Sequence, residues 1–75
     1  MTDPLDKIRR IKARNEKDWL RIEEVVAVGI GKTSEGSTGL IVSVKENAGV
    51  IREKIPARIE DVVIEIQETG EIKAL

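Results

Sequence analysis

Val25-Val26-Ala27-Val28-Gly29-Ile30-Gly31-Lys32 is the stretch on which the fold turns. Its period is two. Val26, Val28 and Ile30 point to one side of an extended chain and Ala27, Gly29 and Gly31 to the other, the pattern of a half-buried strand. Glycine inside a strand marks a bulge or a close backbone approach, so the small face is expected to admit a helix or a neighbouring backbone. Thr33-Ser34-Glu35-Gly36-Ser37-Thr38-Gly39 reads as a loop by composition. Alternation resumes at Leu40 to Lys45, with Leu40, Val42 and Val44 on one face and Ser43 and Lys45 on the other. Two alternating runs joined by a Gly/Ser-rich segment predict an antiparallel hairpin.

Upstream, the period changes to 3.6. Leu5, Ile8, Ile11, Trp19 and Ile22 share one stripe of a helix spanning about residues 1–24. Asp3 is placed as N-cap, Pro4 at the first helical position and Asp6 where a capping box wants an acid. Asn15 interrupts the apolar stripe. The helix either runs on past it, bent or straight, or breaks there with Asn15 capping a second segment; one helix is the preferred reading. Downstream, residues 46–61 are less regular. Asn47 can cap a short helix near 47–55, Ile51 and Ile55 are four apart, and Pro56 ends it. Val62 to Gln67 alternates again, with Val62, Ile64 and Ile66 inward. Thr69-Gly70 is a turn, after which Ile72 to Leu75 return as a short strand. The expected architecture is α+β: one domain over 1–75, an N-terminal helix on a small, mainly antiparallel sheet of three to four strands, in the order α-β-β-short α-β-β.

A chain of 75 residues supports one thin core, since a domain of this size buries only about 60% of the surface its unfolded form exposes. Small scaffolds of this kind lean on disulfides, a metal or a partner subunit. With no Cys and no His, disulfides and the usual zinc sites are excluded, and self-association is the support left open. Thirteen basic residues against 14 acidic ones give a net charge of −1, hence no global attraction to nucleic acid or an anionic membrane. No apolar run reaches the ~20 residues of a membrane helix. The first residues lack the basic start and apolar stretch of a secretory signal, so a cytoplasmic location is expected. Abundant Lys, Arg, Glu and Ile with a single Gln would suit a thermophilic source.

Two stretches invite a functional reading. Gly29, Gly31, Lys32, Thr33 and Ser34 contain the Gly-Lys-Thr that ends a phosphate-binding loop. The leading glycine of that motif would fall at Val26, and the lysine would open a helix rather than a Gly/Ser loop. A nucleotide-hydrolysing site is therefore excluded, leaving an anion-binding nest of backbone amides as the functional alternative to a plain strand end. Lys7, Arg9, Arg10, Lys12 and Arg14 crowd eight residues without an acid and could contact nucleic-acid phosphates. Flanking acids and the absence of Phe and Tyr for base stacking favour a solvated helix face instead. For catalysis, Ser34, Ser37 and Ser43 have no histidine to activate them. The carboxylates Glu60, Asp61, Glu65, Glu68 and Glu71 follow no calcium-loop spacing. No catalytic, cofactor-binding or metal site is expected.

The strand Val25 to Lys32 also resembles part of a known module. It is similar to the Val-Val-Gly-Val-Gly-x-Gly-Lys-like strand of a short non-catalytic segment that precedes the catalytic domain in trypsin-like serine peptidase-related proteins. The resemblance continues through Leu40-Ile41-Val42-Ser43-Val44-Lys45, an Ile55-Pro56 element and the closing segment from Val62 to Leu75, with Ala27 where the module prefers glycine. It implies a shared small fold and an accessory or docking role, and it carries over no catalytic residue. The expected function is that of a small non-catalytic structural or protein-interaction domain, acting on an unidentified protein partner or by self-association. The alternative is a weak nucleic-acid or phosphate-binding module.

Overall fold

A computed structural model describes residues 4–69, so the expected Asp3 cap and the expected last strand, Ile72 to Leu75, lie outside the described residues. The elements run α1 (Pro4–Leu20), β1 (Val25–Lys32), β2 (Thr38–Val44), α2 (Ala48–Lys54), β3 (Arg58–Ile59) and β4 (Val62–Glu68). This is the α+β fold expected, with α1 packed on a four-stranded sheet of spatial order β1-β2-β4-β3. β1 and β2 form the antiparallel hairpin and β3 pairs antiparallel with β4. β2 and β4 are parallel, which the alternation could not reveal. A parallel pair needs a crossover, and α2 with β3 supplies it.

One face of the sheet carries the core. Leu40, Val42 and Val44 of β2 are fully buried, and Val62, Ile64 and Ile66 of β4 line up beside them. Ile8, Ile11 and Trp19 of α1 and Ala48, Ile51 and Ile55 around α2 close over the same cluster. Each such side chain contributes roughly 1.5–3 kcal/mol by leaving water, and the sole aromatic is spent here. The opposite face, with Ala27, Gly29 and Gly31 beside Ile41 and Ser43, has no helix over it among the described residues.

Several local expectations change. The helix stops at Leu20, before the expected 24. Residues 21–24 form a turn closed by Ile22 N–H to the Trp19 carbonyl (3.0 Å) and Val25 N–H to the Ile22 carbonyl (3.0 Å). Ile22 still packs against the core from that turn. Leu5, placed on the core stripe, is more than one-third exposed. Asn15 does not break α1: its side-chain amide donates to the Ile11 carbonyl one turn back (2.8 Å), which satisfies it within the helix. Asn47 does precede α2, but with left-handed backbone (φ 59°) and no side-chain cap.

The largest revision concerns β1. Val25, not Val26, is the buried residue, because Val25 faces Val44 and Ala27 faces Ser43, leaving Val26 as the extra residue of a bulge. Val26 is half exposed and Ile30 only partly covered. The small face also lies away from the helices. A Cβ at Gly29 would meet nothing, whereas one at Gly39 would run into the Val63 carbonyl and the Thr33 methyl. The close backbone approach is therefore between β2 and β4, at Gly39.

Candidate functional site

The backbone of β1 has one side in the ladder and one side free. Directly opposed residues in an antiparallel pair alternate between exchanging hydrogen bonds and not doing so. Thr33 N–H donates to the Ser37 carbonyl at 2.8 Å, one step beyond the Lys32–Thr38 pair. Counting back in twos, Gly31, Gly29 and Ala27 bond to β2. Val28, Ile30 and Lys32 therefore aim their N–H and C=O groups away from it. β1 is the terminal strand in the sheet order, and no described strand takes up those groups. The edge is eight residues long and carries two incompletely covered apolar side chains, Val26 and Ile30. Long apolar edges of this kind are templates for another chain.

The residues read as an anion-binding loop are brought together, but their donors serve the protein itself. Thr33 is buried, and its hydroxyl donates to the Ser37 carbonyl (3.0 Å). Gly36 takes the positive φ (86°) that turns the chain, and its N–H closes on the Thr33 carbonyl at 2.9 Å. The Ser34 N–H donates to the Glu65 carboxylate across the sheet at 3.0 Å. Glu65 thus supplies an internal anion to the loop. Hydrogen bonds from the Ser34 hydroxyl, then the Gln67 amide and the Ser34 N–H, hold its carboxyl below the ordinary 4.5. Gly29 and Gly31 sit in the ladder, and Lys32 is exposed at its end. Sequence reading missed Glu65 as the anchor, since its 31-residue separation from Ser34 leaves no local signal.

The basic residues of α1 do not form one surface. At 100° per residue, Lys7, Arg10 and Arg14 follow one side of the helix while Arg9 and Lys12 fall on others. Three are engaged: Lys7 with Asp61 (3.1 Å), Arg9 with Asp6 (3.9 Å) and Lys12 with Glu16 (2.9 Å). Arg10 and Arg14 form no ion pair among the described residues, and Trp19 is buried and cannot stack on a base. Glu60 and Asp61 occupy the turn between β3 and β4, where Glu60 has a positive φ of 56°.

A shallow open groove of about 380 Å³ runs along β4 beyond the short β3, lined by Arg52, Ile55, Arg58, Ile64 and Glu65. Its cations are partly spent, Arg58 on Glu35 (3.4 Å) and Arg52 at 3.5 Å from the Ile66 carbonyl. Among the described residues, no group of three or more acidic side chains is arranged to hold a metal ion, and no helix is long and apolar enough to cross a membrane. Comparison of the chain with protein-family models, with curated proteins and with solved structures gives no match.

Proposed function

We propose that the chain is a non-catalytic protein-interaction domain that accepts a partner strand along the open edge of β1. The observation that carries this reading is the outward set of backbone groups at Val28, Ile30 and Lys32, flanked by the exposed Val26 and Ile30 side chains. Strand addition draws its affinity from main-chain hydrogen bonds and its selectivity from alternate side chains, and both are on offer here. The inventory points the same way. With no His, Cys or Tyr, acid–base chemistry would fall to carboxylates and lysines. The phosphate-binding alternative draws less support, because the loop donors already serve Ser37 and Glu65. An accessory or docking role, of the kind the peptidase-associated module suggests, fits this reading, as does a cytoplasmic location.

Ile30→Pro tests it. The Ile30 N–H points away from β2, so proline there removes an outward donor without breaking the internal ladder. Protein partners are captured by photo-crosslinking from position 32 and compared between the parent chain and the variant. Loss of a defined crosslinked partner in the folded variant supports the edge. Identical capture by both places the interaction elsewhere.

A further inference from the structure

We infer that the cleft between α2 and the uncovered end of β4 binds an extended acidic peptide, which pairs with Ile66 through its backbone and gives an Asp or Glu side chain to Arg52. This acceptor is separate from the β1 edge, and neither reading needs the other.

The backbone of β4 leaves a strand's place open. Thr69 N–H donates to the Val44 carbonyl of β2 at 2.8 Å. Counting back in twos, Gln67 and Glu65 also bond toward β2, so Ile64, Ile66 and Glu68 direct their groups to the other side of β4. There the Ile64 N–H meets the Ala57 carbonyl (2.8 Å) just before β3. β3 is two residues long and pairs only with Val62 and Val63. Extended backward in the same register, it would bring position 55 beside Ile66. Ile55 instead closes α2: its N–H donates to the Ile51 carbonyl (2.9 Å) and its side chain is buried in the core. No described strand therefore runs beside Ile66 and Glu68.

Arg52 stands at that place. Its guanidinium lies 3.5 Å from the Ile66 carbonyl, at the outer limit of a hydrogen bond. It has no carboxylate partner among the described residues. The other charges lining the groove are engaged, Arg58 with Glu35 (3.4 Å) and Glu65 with the Ser34 N–H and the Gln67 amide (3.0 Å each). Glu68 does not line it. One unmatched cation beside unpaired strand backbone calls for a strand that carries an anion. In an antiparallel addition the residue opposite Ile66 exchanges both hydrogen bonds with it. Its side chain then leaves on the same side as that of Ile66, the core side, where α2 carries Arg52. The peptide N–H takes over the Ile66 carbonyl, and the released guanidinium receives the peptide carboxylate in a two-pronged pair. At about 380 Å³ the groove is at the small end of ligand pockets, which suits a short segment. Main-chain bonds supply affinity here and one acidic side chain supplies selectivity.

The test is an amide-resolved NMR titration of the full chain with the acetylated, amidated peptide Thr-Val-Glu-Val-Thr and with its Thr-Val-Gln-Val-Thr counterpart. Each is taken to about 5 mM, the range in which so small a contact is read. The expected result is saturable shifts at the Ile66 and Glu68 amides and at the Arg52 side-chain N–H. Binding should weaken by about tenfold for the Gln peptide and for Arg52→Gln, because each removes the one charge-assisted pair. Arg52 is exposed, so its replacement leaves the core intact, and the Gln peptide tests the same pair on the unaltered chain. Unmoved Ile66 and Glu68 amides, or equal binding of the two peptides, overturn the inference. Shifts confined to Val28, Ile30 and Lys32 also overturn it while supporting the β1 edge, so the two readings fail separately.

Discussion

Gly39→Ala and Gly29→Ala are the same chemical change made one strand apart, and the structure assigns them opposite signs. At Gly39 an added methyl meets the Val63 carbonyl, a backbone atom of the parallel neighbour β4, and the Thr33 methyl at 3.0 Å. Neither strand can retreat cheaply, because Leu40 and Val42 next to Gly39 are fully buried against Ile64 and Ile66. Overpacking a fitted site costs about 1–3 kcal/mol and sometimes more, and a backbone contact belongs at the upper end, near ~3 kcal/mol. At Gly29 the new methyl meets nothing, and the backbone is not in the left-handed region. Alanine there gains roughly 0.5–1 kcal/mol by removing glycine's excess freedom in the unfolded chain. For a domain of this size 1 kcal/mol moves Tm by about 4–8 °C, so Gly39→Ala should melt roughly 12–24 °C lower and Gly29→Ala a few degrees higher. Thermal unfolding followed by far-UV circular dichroism, with urea titration for the free energies, reads both. Equal shifts for the two variants would mean that β2 and β4 do not approach closely at Gly39, and the parallel pairing would have to be redrawn.

Ile51→Ala empties a fully buried position of α2 and should cost about 2–5 kcal/mol, enough to unfold much of a marginal small domain at 37 °C; urea unfolding measures it. Glu60→Gly should raise stability by roughly 0.5–1 kcal/mol, because Glu60 holds a positive φ in the β3–β4 turn that glycine adopts without strain; an unchanged urea midpoint would show that the turn stores no strain. Glu65 has a carboxyl held below its ordinary 4.5 by Ser34 and Gln67. Its contribution is therefore complete above the unfolded value and disappears as pH falls through the lower folded one. The Ser34 amide resonance should follow that step below pH 4.5, and Glu65→Gln should abolish the step while leaving β1 and β2 paired.

The amphipathic periods identified α1, the β1–β2 hairpin and the inward faces of β2 and β4, because burial of Ile11, Leu40, Val42, Val44 and Ile64 follows periods of 3.6 and two. What they could not show is which strand lies beside which. β2 and β4 read alike whether parallel or antiparallel, and the two-residue β3 is too short to have a period at all. The bulge was hidden for another reason. Val25 and Val26 are chemically identical, so alternation from Val26 to Ile30 looked unbroken, and only the pairing of Val25 with Val44 reverses their roles.

That reversal is what makes the edge of β1 a candidate site. Had Val26 been buried, as strict alternation requires, β1 would carry Ile30 as its sole uncovered large apolar residue and little beyond bare backbone to attract a partner. The bulge moves Val25 into the core and turns Val26 out, so the apolar surface of the edge extends from Val26 to Ile30. The same bulge interrupts the ladder at its start, a device that commonly blunts edges against pairing. Here it sits at one end, leaving Ala27 to Lys32 in regular register with β2. The strand is thus protected over its first residues and open over the rest. This limits any added strand to a short, defined register and ties recognition to a handful of side chains. The apolar residues of β1 divide accordingly: Val28 packs against the core, while Val26 and Ile30 are left uncovered along the edge that ends at the exposed Lys32.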